Sequence, residues 1–469
     1  MKILFIYPVP PSCFIPRGFS NGIASISAVL KRAGHTTDLL YVESLNEEDL
    51  NRSILAGVDI IAISATTDQF ELAGKVVNFI KLNYGIPVIL GGVHATVAPE
   101  EAIQLDGLTG ICIGEGELPL LELVNALGAK NDYLHINNFW FRNGTEIIKN
   151  PLRNLISNLD ELPFPDRELF DYQQIVNDNY DDGAEFMVGR GCPFLCSFCI
   201  NKSLQDLYRG KGTFVRYRTV DNVISEIRQV VAKYSNISKI TFQDDILALN
   251  KKWLTEFSGK YASEIGIPFR CNLRADNVDV ETLSLLKQAN CSELWVGVET
   301  GSERLRNSLL KKQLPTATIV EAFDLIHQYG IKSKAYNMLG LPGETCDDIE
   351  ETIRLNKMIK PDLKNITIFR PYPGTELYEY CKEKNWISDR KVSGYWEESI
   401  LDQPSLSKED TYFYQLLFYY ENKAPWLAKI ARILNSVRIT PRISLFRLLH
   451  NKTIMYSLYA MIKRSGRKI

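Results

Sequence analysis

The sequence lacks the features that mark several classes of protein. Its 469 residues contain nine cysteines, which is too sparse for a disulfide scaffold, and the odd count favours free thiols or ligands. No window reaches the roughly 18 apolar residues that crossing a bilayer requires. Lys and Arg number 54 against 56 Asp and Glu, so the overall charge gives no sign of nucleic-acid binding. What is left is an ordinary globular composition, in a chain long enough for two or three domains.

The first residues are not expected to be a secretory leader. The apolar run Lys2–Tyr7 is short and leads directly into Pro8, Pro10 and Pro11, with no small-residue cleavage site behind it. The start of the chain is therefore predicted to be a buried strand, and the protein is predicted to be cytoplasmic.

The pattern of the chain predicts an α/β protein with four regions. Residues 1–150 alternate short apolar runs with amphipathic helices, which is typical of a Rossmann-like, doubly wound parallel sheet. Residues 151–182 have the composition of a linker. Six further strand–helix repeats in 183–385 predict a partial (β/α)6 barrel of the TIM type, whose strand ends carry the chemistry. Residues 386–469 are predicted to be mostly helical and basic. The predicted barrel strands are Glu185–Gly189, Lys239–Gln243, Phe269–Leu273, Glu293–Val298, Lys332–Met338 and Asn365–Arg370.

Three cysteines follow the first predicted barrel strand. Cys192, Cys196 and Cys199 lie within eight residues, and thiolates are soft ligands suited to iron–sulfur clusters or zinc. A structural zinc site needs four ligands, and no fourth Cys or His is near. Three ligands on a four-iron cluster would leave one iron open. A zinc site completed from a distance and three buried free thiols are the alternatives.

This spacing resembles the signature of the radical S-adenosylmethionine (SAM) enzymes. The resemblance continues at the ends of the later strands, in Phe242–Asp245, Val296–Glu303, Asn337–Thr345 and Arg370–Thr375. It implies that the three cysteines hold a 4Fe-4S cluster and that a second set of residues binds SAM, with Glu299 facing its ribose or methionine part. The alternative for Glu299 is a structural carboxylate paired with Arg274 or Arg304. The implied SAM-binding residues are Phe198, Gln243, Asp244, Asp245, Arg274, Glu299 and Tyr336.

Residues 1–150 resemble the cobalamin-binding domain that precedes many radical SAM barrels. The matching segments are Asp59–Thr67, Gly91–Thr96 and Gly114–Glu117, each after a predicted strand. The first loop lacks the cobalt-binding histidine of classical cobalamin domains, and His94 is expected to be a surface-loop residue. A Rossmann-like module without a ligand is the alternative. The residues that the resemblance implies for cobalamin are Ser64, Thr66, Thr67, Gly91, Gly92, Gly114, Glu115 and Gly116.

Together the two resemblances imply an enzyme that generates a 5′-deoxyadenosyl radical and methylates an unactivated carbon. An oxidative cyclase or a rearrangement enzyme would share the same domains, and a non-catalytic cluster or cobalamin sensor is an alternative of another class. The implied partners are a small-molecule or lipid-like substrate and an electron donor such as a flavodoxin or ferredoxin, with no nucleic acid.

The last 45 residues are basic, whereas the rest of the chain is acidic. From Pro425 to Ile469 there are ten basic residues and no acidic ones, so the preceding 424 residues carry −2 − 10 = −12. Apolar residues in Trp426–Val437 fall on one helical face. Such a helix either caps the barrel or lies on an anionic membrane surface, which would place the protein peripherally at the inner membrane.

Overall fold

A computed structural model describes residues 1–10, 18–45, 50, 52–178, 183–390 and 399–423, together with Lys429 and Arg432. The strands of the first sheet are β1 (Lys2–Pro8), β2 (Thr36–Val42), β3 (Ile60–Ser64), β4 (Val88–Gly91), β5 (Gly110–Cys112), β6 (Phe139–Asn143) and β7 (Glu146–Lys149). Their order is β2-β1-β3-β4-β5-β6-β7, parallel from β2 to β5 and antiparallel in the closing hairpin. The Rossmann-like arrangement is confirmed.

The remaining strands build a half-barrel. They are β8 (Gly183–Phe186), β9 (Gly189–Arg190), β10 (Arg216–Tyr217), β11 (Lys239–Phe242), β12 (Phe269–Leu273), β13 (Cys291–Glu299), β14 (Lys332–Leu339) and β15 (Leu363–Ile368). Six of them form an all-parallel sheet in the order β15-β14-β13-β12-β11-β8, while β9 and β10 form a separate antiparallel pair. The predicted partial barrel is therefore confirmed.

Helices cover both sheets. They are α1 (Asn21–Arg32), α2 (Arg52–Leu55), α3 (Phe70–Asn83), α4 (Val93–Val97), α5 (Pro99–Ala102), α6 (Glu117–Ala129), α7 (Tyr172–Asp178), α8 (Ile200–Leu207), α9 (Val220–Lys233), α10 (Lys251–Glu264), α11 (Val280–Gln288), α12 (Thr316–Gln328), α13 (Cys346–Ile359), α14 (Glu376–Glu383) and α15 (Lys408–Lys423). No helix in the described ranges is long and apolar enough to cross a membrane.

The first barrel strand ends earlier than predicted. Glu185–Gly189 was the predicted strand, but β8 stops at Phe186. Beyond it the chain leaves the sheet because the amides of Val188 and Gly189 donate to the Asp244 carboxylate, at 3.0 and 2.7 Å. The chain turns there toward β9 and the three cysteines, so a side chain from the neighbouring strand decides where the cysteine loop begins.

Segments outside the described residues carry three of the sequence predictions. Residues 11–17 belong to the stretch after β1 where classical cobalamin domains place their histidine, and residues 179–182 contain the end of the predicted linker. Apart from Lys429 and Arg432, the basic tail from 425 onward also lies outside the described residues. The domain boundaries at 150, 182 and 385 stay predictions.

Candidate functional site

Each sheet has a cavity at the carboxyl ends of its parallel strands, where α/β proteins bind ligands. The N-terminal cavity has a volume of about 350 Å³ and follows β1, β3, β4 and β5. The barrel cavity has a volume of about 370 Å³ and lies inside the half-barrel, against the cysteine loop. Most of the predicted site residues line one of these two cavities.

The barrel cavity brings together nearly all the residues predicted for the cluster and SAM. The cysteine loop and the ends of β11, β12, β13 and β14 all contribute to its wall, although they are up to about 150 residues apart in the sequence. The predicted residues that line it are Cys192, Cys196, Phe198, Cys199, Gln243, Asp245, Arg274, Glu299 and Tyr336.

Asp244 is the predicted residue that the barrel cavity leaves out. Its carboxylate accepts the amide hydrogens of Val188 and Gly189, and only 6% of its surface is exposed. Burial raises the pKa of Asp244 to about 7. Its observed contacts are to the backbone that leads into the cysteine loop, whereas the adjacent Asp245 lines the cavity.

Two polar side chains hold the cysteine loop in place. The Ser197 hydroxyl donates to Leu309 O at 2.5 Å, and the Ser197 carbonyl accepts the amide of Leu377 at 3.1 Å. On the other side Gln205 Nε2 donates to Cys192 O at 2.6 Å, which ties the loop to α8. Uncharged hydrogen bonds therefore anchor the loop on both sides.

The three thiols line the same cavity, an arrangement that a 4Fe-4S cluster can use. A four-iron cluster bonds each cysteine to a different iron, so its ligands line a cavity instead of meeting at a point. Burial raises the pKa of Cys192 to about 11, so loading must displace protons from the thiols.

Two buried cations stand beside the thiols. Arg274 Nη1 lies 3.8 Å from Cys196 Sγ, and its guanidinium stacks 3.9 Å above the Phe194 ring. Lys312 Nζ donates to Glu299 Oε1 at 2.9 Å and to Gly297 O at 2.8 Å. Anionic groups are stabilised next to such cations, which suits a thiolate-bound cluster and the carboxylate of SAM.

Glu299 is paired, but not with the arginines considered from the sequence. Arg274 pairs with Asp276, and Arg304 pairs with Asp348. The partner of Glu299 is Lys312, thirteen residues further along the chain and 4% exposed. Glu299 also has a φ of +66°, which is strained for a residue with a side chain, so the pairing holds it in an unfavourable backbone conformation.

The N-terminal cavity is mainly apolar, with Phe5, Ile23 and Leu120 in its wall, and two residues of the half-barrel, Met187 and Arg190, close it. The predicted cobalamin residues that line it are Ser64, Gly91, Gly92, Gly114, Glu115 and Gly116. Its apolar wall and the glycines that expose backbone there fit a large flat ligand.

Thr66, Thr67 and His94 lie outside that wall. Thr66 caps a short 3₁₀ turn, and the Thr67 hydroxyl is 3.3 Å from His94 Nδ1. The expectation that His94 is a surface-loop residue is wrong, because it is 1% exposed in α4 and stacks on Phe70 at 3.8 Å. Burial lowers the pKa of His94 to about 4, so it is neutral.

Sequence reasoning missed several residues of the barrel cavity. Lys312 carries no motif, since it is one of two adjacent lysines after a helical turn, and only the fold brings it to Glu299. Polar side chains on interior-facing positions of the strands were missed as well, and strand alternation is the one signal that could have found them. The missed lining residues are Asn201, Asn272, Trp295, Lys312, Asn365 and Thr367.

Comparisons with known proteins match both halves of the chain. Residues 186–355 match the model of the radical SAM superfamily, and residues 15–124 match that of the B12 binding domain. An uncharacterized methyltransferase of Pyrococcus horikoshii is 31% identical over 401 residues, which cover 82% of this chain and 84% of that one. The anaerobic magnesium-protoporphyrin IX monomethyl ester cyclase of Rubrivivax gelatinosus is 24% identical, over 83% of this chain and 71% of that one.

A solved structure shares the fold. The radical SAM methyltransferase TsrM of Kitasatospora setae, solved with cobalamin and a 4Fe-4S cluster bound, superposes with a TM-score of 0.66. The alignment covers 87% of this chain and 83% of that one, at 15% sequence identity. At that identity the likeness establishes the arrangement of the two sheets.

Proposed function

The chain belongs to the radical SAM superfamily, in the group whose members also carry a B12-binding domain, and from this premise we propose that it methylates an unactivated carbon of a small organic substrate. It is an enzyme, and its cofactors are a 4Fe-4S cluster, SAM and cobalamin. When bound, the cluster and SAM supply an organic radical, and cobalamin supplies a transferable methyl group.

One observation carries the proposal. The same chain has a cavity lined by three cysteines and a second cavity suited to a large flat ligand, and residues of the half-barrel close the second one. Hydrogen abstraction and methyl delivery at one carbon require two cofactors held in a fixed relation, and a chain that has both cavities can hold both cofactors. The relative from Pyrococcus horikoshii, which bears the name methyltransferase, supports the same reaction class.

The chain's own residues are proposed to bind and orient. Cys192, Cys196 and Cys199 would hold the cluster, while Arg274 and Lys312 would balance negative charge beside it. Gln243, Asp245, Glu299 and Tyr336 line the same cavity and would position SAM. We propose Phe198 as an apolar wall against it, and Asp244 as a support of the loop before the cysteines instead of a direct SAM contact.

The test is an isotope-tracing experiment with the full chain, purified anaerobically and loaded with the cluster and cobalamin. SAM with a deuterated methyl group is incubated with the reduced enzyme and a metabolite extract. Transfer of the labelled methyl group to a small molecule, together with 5′-deoxyadenosine, is the expected result. The matched control is the Cys192→Ala variant, which should give neither product because one iron would lose its ligand.

Other outcomes would overturn the proposal in different ways. Formation of 5′-deoxyadenosine without transfer of the label would replace methylation by cyclisation or rearrangement, the chemistry of the cyclase relatives. No 5′-deoxyadenosine from cluster-loaded, reduced enzyme would contradict radical chemistry. The reaction also needs an external electron donor, and we propose a flavodoxin or ferredoxin in that role, to be compared with dithionite as a chemical reductant.

A further inference from the structure

Four charged residues join the two halves of the molecule. Glu115 lies between β5 and α6 and Glu117 begins α6, both at the wall of the N-terminal cavity, while Arg190 is on β9 and Arg216 on β10. Arg216 Nη2 and Arg190 Nη1 lie 2.7 and 3.1 Å from the same oxygen of Glu115. Arg190 Nη2 donates to Glu117 Oε1 at 2.5 Å. We call these four residues the interdomain charge cluster.

The interdomain charge cluster is largely shielded from solvent. The side chains of Glu117 and Arg216 are 4% and 5% exposed, and that of Glu115 is 17% exposed. Burial alone would raise the pKa of Glu115, but Arg216 and Arg190 bring it below its ordinary value, so the carboxylate stays charged. Ion pairs in such surroundings are screened little by salt, and loss of one partner leaves an uncompensated buried charge.

Within the interdomain charge cluster, Arg190 is the residue nearest in sequence to the cysteine loop. Its side chain lines the N-terminal cavity and binds both carboxylates of the loop that also lines it. Its backbone lies two residues before Cys192, the first cysteine of the loop. Arg216, in contrast, binds Glu115 through two nitrogens and donates to Ile156 O at 2.8 Å, and it lies 17 residues after Cys199, the nearest cysteine of the loop in sequence.

We propose that Arg190 is a positioning residue that couples occupancy of the N-terminal cavity to the conformation of the cysteine loop. This inference rests on the proposed function, because it takes cobalamin as the ligand of that cavity and the cluster as the ligand of the loop. Displacement of Glu115 or Glu117 by a ligand would move Arg190, and only Gly191 separates Arg190 from Cys192, so the movement would reach the cysteine loop within one residue.

An arginine suits this task better than a lysine. Its planar guanidinium presents donors in a fixed fork and can bind two carboxylates at once, whereas an ammonium is a single point charge. Coupling between two sites is reciprocal, so cluster loading must change the affinity for cobalamin by the same factor by which cobalamin changes the affinity for the cluster.

The experiment measures the affinity of the full chain for hydroxocobalamin, anaerobically, with and without a reconstituted cluster. In the wild type we expect the two dissociation constants to differ by at least about five-fold. In Arg190→Met the two dissociation constants should agree within about two-fold, because the variant lacks the guanidinium that joins Glu115 and Glu117 to the cysteine loop. The iron content of the variant should be unchanged. The readout is the ratio of the two dissociation constants. Arg190 lines the cavity, so its replacement also changes the affinity for hydroxocobalamin in each state, and a single affinity would not isolate the coupling.

Two further variants sharpen the result. Glu117→Gln keeps the shape and the contact with the Ser25 hydroxyl, which donates to Glu117 at 2.9 Å, but removes the charge that Arg190 binds, so it should reduce the ratio as well. Arg32→Met is the control, because Arg32 lies on the surface of α1 and donates to Glu161 O at 2.8 Å, away from both loops. It should keep the wild-type ratio.

Equal ratios of the dissociation constants in the wild type and in Arg190→Met would overturn the inference. A wild type whose affinity for hydroxocobalamin is the same with and without the iron–sulfur cluster would overturn it as well. A wild type that takes up no cobalamin, or no iron, would contradict the proposed function itself, and the inference would fall with it.

Discussion

At the scale of single residues, two glycines of the N-terminal cavity differ in what they require. Gly114 has a φ of +79°, and a Cβ there would lie 1.7 Å from the Tyr208 hydroxyl oxygen. Gly91 has ordinary backbone, and its nearest neighbour would be Cys112 Cβ at 3.8 Å. The fold itself therefore demands glycine at 114, whereas at 91 the space belongs to the cavity.

Substitutions at these glycines should separate folding from binding. Gly91→Leu is expected to fold and to lose cobalamin, because the side chain would fill the cavity, while Gly91→Ala should keep both. Gly114→Ala should lower the free energy of unfolding by about 2 kcal/mol or more through backbone strain and the clash. Circular dichroism during thermal unfolding and cobalt content measure the two effects. Full cobalt content in Gly91→Leu would show that the ligand lies elsewhere.

The three cysteines provide a second test at this scale. We expect the triple variant Cys192→Ala, Cys196→Ala, Cys199→Ala to lose its iron and the brown absorbance while keeping its secondary structure, since Ser197 and Gln205 still anchor the loop. Cys346→Ala, at the half-buried start of α13, is the matched control and should keep the wild-type iron content. Wild-type iron content in the triple variant would refute the assignment.

At the scale of elements, the turn between β14 and α13 contains a buried acid. Glu344 is 0% exposed, and one of its oxygens accepts the amides of Gly340 and Leu341 at 2.6 and 3.1 Å. The other oxygen has no hydrogen-bond partner in the described part of the chain. Burial raises the pKa of Glu344 to about 8, which favours the protonated acid in the folded protein at neutral pH.

This acid makes stability depend on pH. The pKa is raised in the folded state, so the stabilisation is complete below the unfolded value and is lost as pH rises through about 8. Relative to Glu344→Gln, which does not titrate, the wild type should lose up to about 4 kcal/mol of unfolding free energy between about pH 5 and about pH 9. Urea unfolding of both proteins at these two pH values measures the difference. A constant difference would mean that Glu344 is ionised throughout.

At the scale of the whole molecule, the basic tail touches the half-barrel at one described point. Arg432 lies beside Glu421 of α15, with Nη2 at 2.5 Å from its carboxylate, and also pairs with Glu350 of α13. From the sequence, Lys429 and Arg432 both lie off the apolar face of the predicted helix. The structure leaves Lys429 exposed but gives Arg432 two carboxylate partners, so at least this charge is not available to a lipid surface.

Sedimentation with lipid vesicles distinguishes the two interpretations of the tail. Because Arg432 pairs with carboxylates of α13 and α15, we favour the interpretation that the tail packs on the barrel, and we expect the full chain not to sediment with anionic vesicles at low salt. The control is a chain truncated after Asn422, which should behave in the same way. Binding to anionic but not to neutral vesicles, weakened by salt and lost on truncation, would instead support contact with a membrane surface.

The sequence by itself determined the order of the elements and the family. Continuous apolar runs between amphipathic helices are local patterns, so β12 has the bounds that periodicity predicts, and the spacing of Cys192, Cys196 and Cys199 is a local property as well. Strand ends in a parallel sheet lie on one edge, which is why most of the predicted SAM residues share one cavity.

Only the tertiary structure decided which side chains contact each other. Lys312 reaches Glu299, Asp244 turns to the backbone of Val188, and Arg190 bridges two loops of different domains, because each contact joins segments that no periodicity relates. The burial of His94 was also decided by the tertiary structure. Its position after a strand predicted exposure, but it stacks on Phe70. Electrostatic partners depend on distances of a few ångströms across the fold, and a sequence pattern carries no information at that range.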